Sequence, residues 1–451
     1  MSTTESPAAI EAATPAKPCP QCGAPLSVSE RFPTWCPRCE WNLLPATPPV
    51  EYRTARARRR AAREERREEA ARQAVKVRTE HVFRQVAAGE SDLRSGPAVA
   101  AFALAGLVHL VSLTVLVTGA ALVAGLLSPS WPARGLGVVA LAVAVLIRPR
   151  LGRPQRDGVL TRDAAPVLYG LVDQVSEALG APKVDSIVVT DRFNASVGVL
   201  GLRRHRQLDL GLPLWEMLPR QQKVALLGHE IGHYVNGDSR SGLWTGSAVG
   251  SLAEWERLTH PSPDNESRRI LLIMATFVAN LLLWVVNRAV RALTGLMFRL
   301  HLRSGQAAEY RADRLAAQLA SVRDARAMLT ALLNGPTVEA VVIRQRSRPA
   351  RRPAGRSART SDAAPAPDLW ESLAEAVRTI PAGETERRIR ESERNVSSVD
   401  GSHPPTYLRL RMLDTAPPPV DRAPLVLDAG RAAAIEAELA ESRVRVARAL
   451  L

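Results

Sequence analysis

Two groups of side chains in this sequence have the types and spacing to hold a metal ion. The first is His229-Glu230-Ile231-Gly232-His233, an H-E-x-x-H pattern inside the apolar-periodic stretch PRQQKVALLGHEIGHYV. On a helix, positions i and i+4 lie one above the other, so both imidazoles reach one ion while the residue at i+1 stands beside its open position. With eight His in 451 residues, a chance match is expected roughly 0.01 times, so a helix that happens to carry two His and a Glu is the weaker account. Two imidazoles under-coordinate zinc; a hydrolytic site takes a third protein ligand and keeps one position for water. The leading candidate is Glu309, in RSGQAAEYRADRLAAQLA, 76 residues past His233. Asp313 follows four residues on, placed to orient a ligand imidazole from behind. Alone, both would read as surface carboxylates paired with Arg311 or Arg314.

The second group is Cys19, Cys22, Cys36 and Cys39, two C-x-x-C knuckles separated by 13 residues, with Gly23 after the first and Trp35 and Trp41 around the second. This spacing suits a tetrahedral structural zinc in a ribbon spanning 18–45, where metal replaces the core that so short a segment cannot build. All the cysteines of the chain lie here. An extracellular disulfide framework would spread its bridges over the fold, so the clustering points to a reducing compartment. The first residues lack the basic start and apolar core of a secretory signal.

The elements that must position these groups come next. Residues 1–17 read as a disordered tail, and 51–92 as a long charged helix rich in Arg. Residues 97–127 carry no formal charge over 31 positions, where about 20 helical residues cross a bilayer. His109 within it is expected to make one local hydrogen bond. Trp131–Ile147 is a shorter apolar segment, and the two are expected to form a transmembrane hairpin over 97–147. A helix is expected from about Asp163 to Leu179, stopped by Gly180 and Pro182, then a short strand, SIVVT, ending near Asp191, which RQLDLGL could join. The zinc helix runs 219–235, closed by Asn236-Gly237. Ile270–Val286 is apolar with one interior polar residue, Asn280. Residues 336–367, rich in Arg, Pro and Ala, are expected to be a flexible insertion, and 416–451 a tail with an amphipathic helix.

Composition narrows the partners. Only four of the 60 basic residues are Lys, the net charge is +15, and aromatics make up 4%. A basic balance suits nucleic acid or an anionic membrane face. So few aromatics argue against stacking on single-stranded nucleic acid, so nucleic acid is the less favoured partner and the lipid bilayer the favoured one. Arg84, Arg94, Arg148, Arg150, Arg153 and Arg156 flank the hairpin and only Arg134 lies between its arms. Both flanks are therefore expected in the cytoplasm.

The ordered set GHEIGHYVNGD, an apolar stretch, EYRAD, and SHPPTYLRLR at 402–411, with FNASVG upstream, resembles the HtpX-like and CaaX-prenyl-protease-type membrane zinc metallopeptidases, gluzincins. The resemblance covers about 160–335 and 400–412, leaving out the ribbon, the Arg-rich helix and the long insertion. It implies that His229, His233 and Glu309 hold a catalytic zinc and that Glu230 is the catalytic base. It further implies that His403 lies near the scissile carbonyl, and that Asn194 and Ala195 hold substrate backbone against the strand ending near Asp191, taken as an edge strand of the sheet. The expected fold class is mainly α with a small β-sheet, a zincin-like peptidase domain attached to transmembrane helices plus an N-terminal zinc ribbon. The peptidase domain would span 157–335, with an apolar insertion at 241–300, and resume over 368–415. The function implied is a multi-pass membrane zinc endopeptidase of the cell membrane, its N-terminus and catalytic domain facing the cytoplasm. It would cut polypeptides in membrane-protein quality control or regulated processing, with a protein partner at the ribbon as a further candidate. The alternative is a non-catalytic membrane adaptor whose ribbon binds protein or nucleic acid.

Topology adds a condition. If His229 and Glu309 bind one ion, an even number of crossings separates them. Should Ile270–Val286 span, SGLWTGSAVGSLAEW from Ser241 either dips into the bilayer as a weak partner, or both pieces lie at the interface.

Overall fold

The computed structural model describes residues 17–45, 54–89, 96–235, 238–260, 270–347, 368–395, 403–415 and 425–451. The expected tail over 1–16, the helix stop at Asn236-Gly237 and residues 348–367 of the insertion lie outside them. In chain order, β1 (Lys17–Pro18) and β2 (Pro25–Leu26) precede helices α1 (Ala55–Ala87), α2 (Gly96–Val123) and α3 (Trp131–Ile147). Then come β3 (Val159–Leu160), α4 (Pro166–Leu179), β4 (Ser186–Thr190), β5 (Ala195–Leu200), β6 (His205–Gly211), α5 (Leu212–Met217), α6 (Arg220–Val235), α7 (Asp238–Leu258) and α8 (Ile270–Leu319). The described elements after these are helices: α9 (Val322–Ala331), α10 (Gly335–Arg346), α11 (Leu369–Arg378), α12 (Ala382–Asn395), α13 (Thr406–Thr415), α14 (Ala429–Glu438) and α15 (Ala440–Leu450). A mainly helical chain with a small four-stranded sheet, beside the two-stranded β1-β2 pair, agrees with the expected class. Two compact units divide it, Met1–His81 with Leu329–Arg411, and Val82–Met328 with Met412–Leu451.

The second unit is built around a four-stranded sheet of order β3-β4-β6-β5, in which β4 and β6 are parallel and the outer pairs antiparallel. All but the last residue of SIVVT is buried, as a strand covered on both faces requires. RQLDLGL does pair with it. Neither flank of β4 is therefore open, and the strand ending near Asp191 is not an edge. The edges are β5 and the two-residue β3, and the Gly198 and mixed polarity of β5 hide its strand character in the sequence.

Helix α4 packs on this sheet. Its start has Pro at the first turn, and the carboxylate of Glu438 in α14 accepts from the first-turn amides of Val167 (2.7 Å) and Leu168 (2.9 Å). Gly180, at φ 66°, closes it in the left-handed conformation that costs glycine nothing. The Tyr169 hydroxyl donates to Leu160 O (2.8 Å) and accepts from Ile187 N (2.9 Å), pinning the helix to β3 and β4. Leu168, Leu171, Val172, Ile187, Leu208 and Leu210 are wholly buried, each worth about 2 kcal/mol by area.

Four apolar helices complete this unit. Ala101, Ala105 and Val108 of α2, Ala248 and Leu252 of α7, and Val290 and Met297 of α8 form one cluster. Helices α2 and α3 meet at glycines: a Cβ on Gly137 would lie 2.8 Å from Gly119 O. His109 contacts a distant segment, contrary to the expected local bond, with Nε2 3.1 Å from Trp244 O and 3.3 Å from Ser247 Oγ in α7. The outer faces of α2 and α8 stay apolar and uncovered, as at Leu110 (57% exposed) and Leu282 (63%).

In the first unit, residues 336–346 of the expected flexible insertion are helical, because Pro336 sits in the first turn of α10 and Val338, Val341 and Val342 repeat at helical spacing and are buried. The two knuckles of the ribbon are closed by Gly23 N donating to Cys19 O and Glu40 N to Cys36 O, both 2.8 Å.

Candidate active site

Helix α6 carries the histidine pair. Pro219 precedes it, its carbonyl accepting from Lys223 N at 3.1 Å, and Val224, Leu226, Leu227 and Ile231 supply apolar helix-forming surface. Every residue from Lys223 to Gly232 is buried. The Tyr234 hydroxyl lies 3.2 Å from both Gly198 O of β5 and Gln207 O of β6, tying the helix end to the sheet edge. Burial pushes that phenol above its ordinary range. Lys223 sits with its ammonium 5.1 Å from the Trp215 ring centre, and its burial lowers its basicity.

Helix α8 supplies the carboxylates across from it. His229 Nε2 is 3.5 Å from Glu309 Oε2, and His233 Nε2 is 3.5 Å from Glu309 Oε1. The imidazole centroids are 5.0 Å apart with planes at 87°. A direct hydrogen bond would be nearer about 2.9 Å. Two atoms bound to one tetrahedral zinc at 2.0–2.1 Å stand about 3.4 Å apart. The spacing therefore fits three ligands turned toward a shared ion better than a hydrogen-bonded triad.

Asp313 Oδ1 lies 3.0 Å from His229 Nδ1. Donation from Nδ1 fixes the ring and leaves the Nε2 lone pair facing Glu309. Glu230, Glu309 and Asp313 are 6%, 7% and 0% exposed. Glu309 and Asp313 are therefore buried rather than surface carboxylates. Taking several carboxylates out of water costs several kcal/mol each unless opposite charge compensates, and a divalent cation between Glu309 and the imidazoles would do so.

What lets α8 approach α6 escaped the reading of chemical residues alone. Gly228 and Gly232 each precede one histidine of the pair, on the face toward α8. A Cβ on Gly228 would lie 3.1 Å from Ala316 Cα and 3.0 Å from Leu319 Cδ1. On Gly232 it would lie 3.3 Å from Ala312 Cα and 3.2 Å from Leu315 Cδ1. Small residues four apart on both helices, Gly228 and Gly232 against Ala312 and Ala316, were the available signal.

Asn194 and Ala195 open the edge strand β5. Asn194 O accepts from Gly211 N at 2.9 Å, and a Cβ at Gly211 would fall 2.0 Å from Arg192 O and 2.1 Å from Asn194 O, so only glycine admits the 192–194 turn. Ala195 pairs with Leu210 and is buried. Its side chain belongs to the core, leaving the strand backbone as its means of meeting a substrate. His403 belongs to the first unit, half-buried just ahead of α13.

The second metal group also assembles. Cys19 Sγ is 3.6 Å from Cys39 Sγ, Cys22 Sγ is 3.6 Å from Cys36 Sγ, and all four sulfurs lie within 4.8 Å of one another. No disulfide joins them. Sulfurs at 2.3 Å from a tetrahedral zinc stand about 3.8 Å apart, against about 2.05 Å in a disulfide, so the quartet fits a metal.

Compared with known proteins, the chain matches no curated protein and no solved structure. A family model described as Peptidase family M48 does match, over residues 168–416, from the first turn of α4 through β4, β5, β6, α6 and α8 to the end of α13. The ribbon, α1, the α2–α3 pair, β3, α14 and α15 lie outside the match. A match over more than half its length makes this chain a member of peptidase family M48, a family of zinc metallopeptidases.

Proposed function

We propose that the protein is a membrane-anchored zinc endopeptidase in which His229, His233 and Glu309 hold the metal and Glu230 is the general base. The observation that carries this reading is the approach of both Nε2 atoms to the two oxygens of one buried carboxylate, at 3.5 Å each. Zinc bound there supplies Lewis acidity, lowering the pKa of water toward about 7 and polarising a peptide carbonyl. Glu230 takes a proton from the attacking water and returns one to the departing amine. Asp313 holds His229 in the tautomer that presents Nε2. His403, by its place in the family pattern, donates to the developing oxyanion. The open edge of β5, beginning at Asn194 and Ala195, accepts extended substrate backbone by strand addition.

Membrane anchoring is supported by two helices long and apolar enough to cross a bilayer, Gly96–Val123 and a stretch within Ala279–Leu319, of which only 22% and 17% is buried. Helices that served a soluble core would hide their Leu and Val. The shorter α3 completes the hairpin with α2. Helix α7, packed against α2 and α8, is the return partner that the shared site requires. The Arg-rich flanks set the active site on the cytoplasmic side.

The test uses purified full-length protein in detergent with casein as substrate. A chelator should abolish cleavage and added zinc restore it. Glu230→Gln should keep the metal and lose about 10²–10⁴-fold in rate; a variant that cuts at the wild-type rate would remove the assigned base.

A further inference from the structure

The ribbon has a docking partner within its own unit. Helix α12 lies against it, and most of the bonds reach the second knuckle, the loop that carries Cys36 and Cys39. Arg390 donates to Pro37 O at 2.8 Å, Arg394 pairs with the Glu40 carboxylate, and Arg387 donates to Leu43 O at 3.0 Å. The Trp35 indole, next to Cys36, donates to Gly383 O at 3.0 Å, and the Arg390 guanidinium stands 5.4 Å from the centre of that ring.

Beneath this contact lies a buried charge cluster. Glu384 accepts two bonds from Arg387 (2.7 and 2.9 Å) and one from Arg388 (2.7 Å). Arg388 continues to Asn334 Oδ1 (2.9 Å) and Thr337 Oγ1 (2.7 Å), joining α12 to α10. All three charged residues are under 10% exposed.

Neither side of the contact has much else to hold it. In the ribbon, Cys19, Leu26 and Cys36 form one buried cluster with Ala24 and Trp41 packed on it, and Trp35 and Leu43 are buried besides; so small a core needs metal to fold. Helix α12 reads AGETERRIRESERN, with Ile389 its one large aliphatic side chain. Its position depends on the partners of its arginines, and three of those, Pro37, Glu40 and Leu43, are fixed only while the knuckle is.

We propose that the partner surface of the ribbon is α12 of the same chain, and that a thiophilic divalent ion at Cys19, Cys22, Cys36 and Cys39 makes it a metal-dependent clamp on that helix. Eight residues after Asn395 the chain reaches His403-Pro404-Pro405, so loss of this ion loosens the helix from which the chain runs on to His403. That consequence for cleavage rests on the role given to His403 above; the clamp itself does not.

Hydrogen exchange on the full-length protein in detergent tests it. Wild type is compared loaded, stripped by chelator, and reloaded with zinc, beside Cys36→Ser/Cys39→Ser and a His233→Ala control that keeps the ribbon. Amides of 383–394 should exchange at least tenfold faster in the stripped protein and in the cysteine variant. Zinc should restore wild type only, and His233→Ala should resemble loaded wild type. Equal protection of α12 with and without ribbon metal would overturn the proposal. Should the cysteine variant not fold, Arg390→Ala/Arg394→Ala keeps all four thiols. It should give the thiolate-to-cobalt absorption of a loaded ribbon and still exchange faster at α12, and unchanged exchange there would again overturn the clamp. Loaded wild type that cuts no casein while α12 remains metal-dependent would refute the peptidase reading and support the clamp. Normal cleavage with α12 indifferent to metal would do the reverse.

Discussion

Gly228→Ala tests whether the metal site is made by the close approach of α6 to α8. In an isolated helix the substitution would stabilise by about 1 kcal/mol, since glycine is the poorer helix former. Here the added methyl would sit 3.1 Å from Ala316 Cα and 3.0 Å from Leu319 Cδ1, whereas carbons at ease stand about 3.5–4.0 Å apart. Leu319 can turn aside, but the Cα of Ala316 moves only with its helix, so α8 must retreat by several tenths of an ångström. Overpacking of this kind costs about 1–3 kcal/mol, which leaves a net loss of about 0–2 kcal/mol after the helix gain. The metal is the more sensitive reporter, because ligand distances hold to about 0.2 Å and the displaced helix bears Glu309. Metal affinity, read by competition with a chromophoric chelator on protein whose ribbon is already loaded, should fall about tenfold or more, with thermal melts in the same detergent reporting stability. A variant about 1 kcal/mol more stable than wild type and binding metal as tightly would refute the reasoning, since it would mean that the helices do not touch at Gly228.

Three other outcomes follow from the same contacts. Asp313→Asn should leave the fold intact and lower metal affinity about 10–100-fold, seen by the same competition; unchanged affinity would mean that Asp313 does not orient His229. Glu384 loses solvation on burial, which raises its pKa, but the bonds from Arg387 and Arg388 outweigh this and hold it below the ordinary 4.5. Its stabilising contribution is therefore full above that value and lost as pH falls through the lowered one. Chemical denaturation of wild type and Glu384→Gln should thus converge on acidification below about pH 4.5, and curves a constant distance apart at all pH would contradict the pairing. Glu384→Ala, which strands two arginines, should cost about 3–5 kcal/mol near neutrality; a loss under about 1 kcal/mol would mean the cluster is solvated.

How far the sequence could be read depended on the range of the interactions involved. Helices α1, α2 and α3, α4 with its Pro166 and Gly180, α6 and the paired cysteine knuckles rest on local periodicity and spacing, and their places agree to within a few residues, whereas the apolar segment Ile270–Val286 is the start of a helix that runs on to Leu319. Strand β5 and helix α10 were hidden because neighbours in space decide them. Ala195–Leu200 becomes a strand by pairing with β6, and the Arg- and Pro-rich composition beyond residue 346 masked the valine stripe of α10. The wrong edge was assigned to the sheet for the same reason, since strand order is a property of pairing and not of any one segment.

By itself, the amino-acid sequence determined which atoms could do chemistry here, two imidazoles one helical turn apart, a glutamate between them and four thiols in pairs, because helix geometry and ligand spacing act over a few residues. Only the tertiary structure decided that Glu309 and Asp313, far along the chain, meet that turn, since this depends on Gly228 and Gly232 letting one helix lie against Ala312 and Ala316 of another. It also decided that the ribbon is seated on α12, through arginines 344 residues or more from the groups they bind. Contacts of that separation arise from packing and buried charge, which no local pattern encodes.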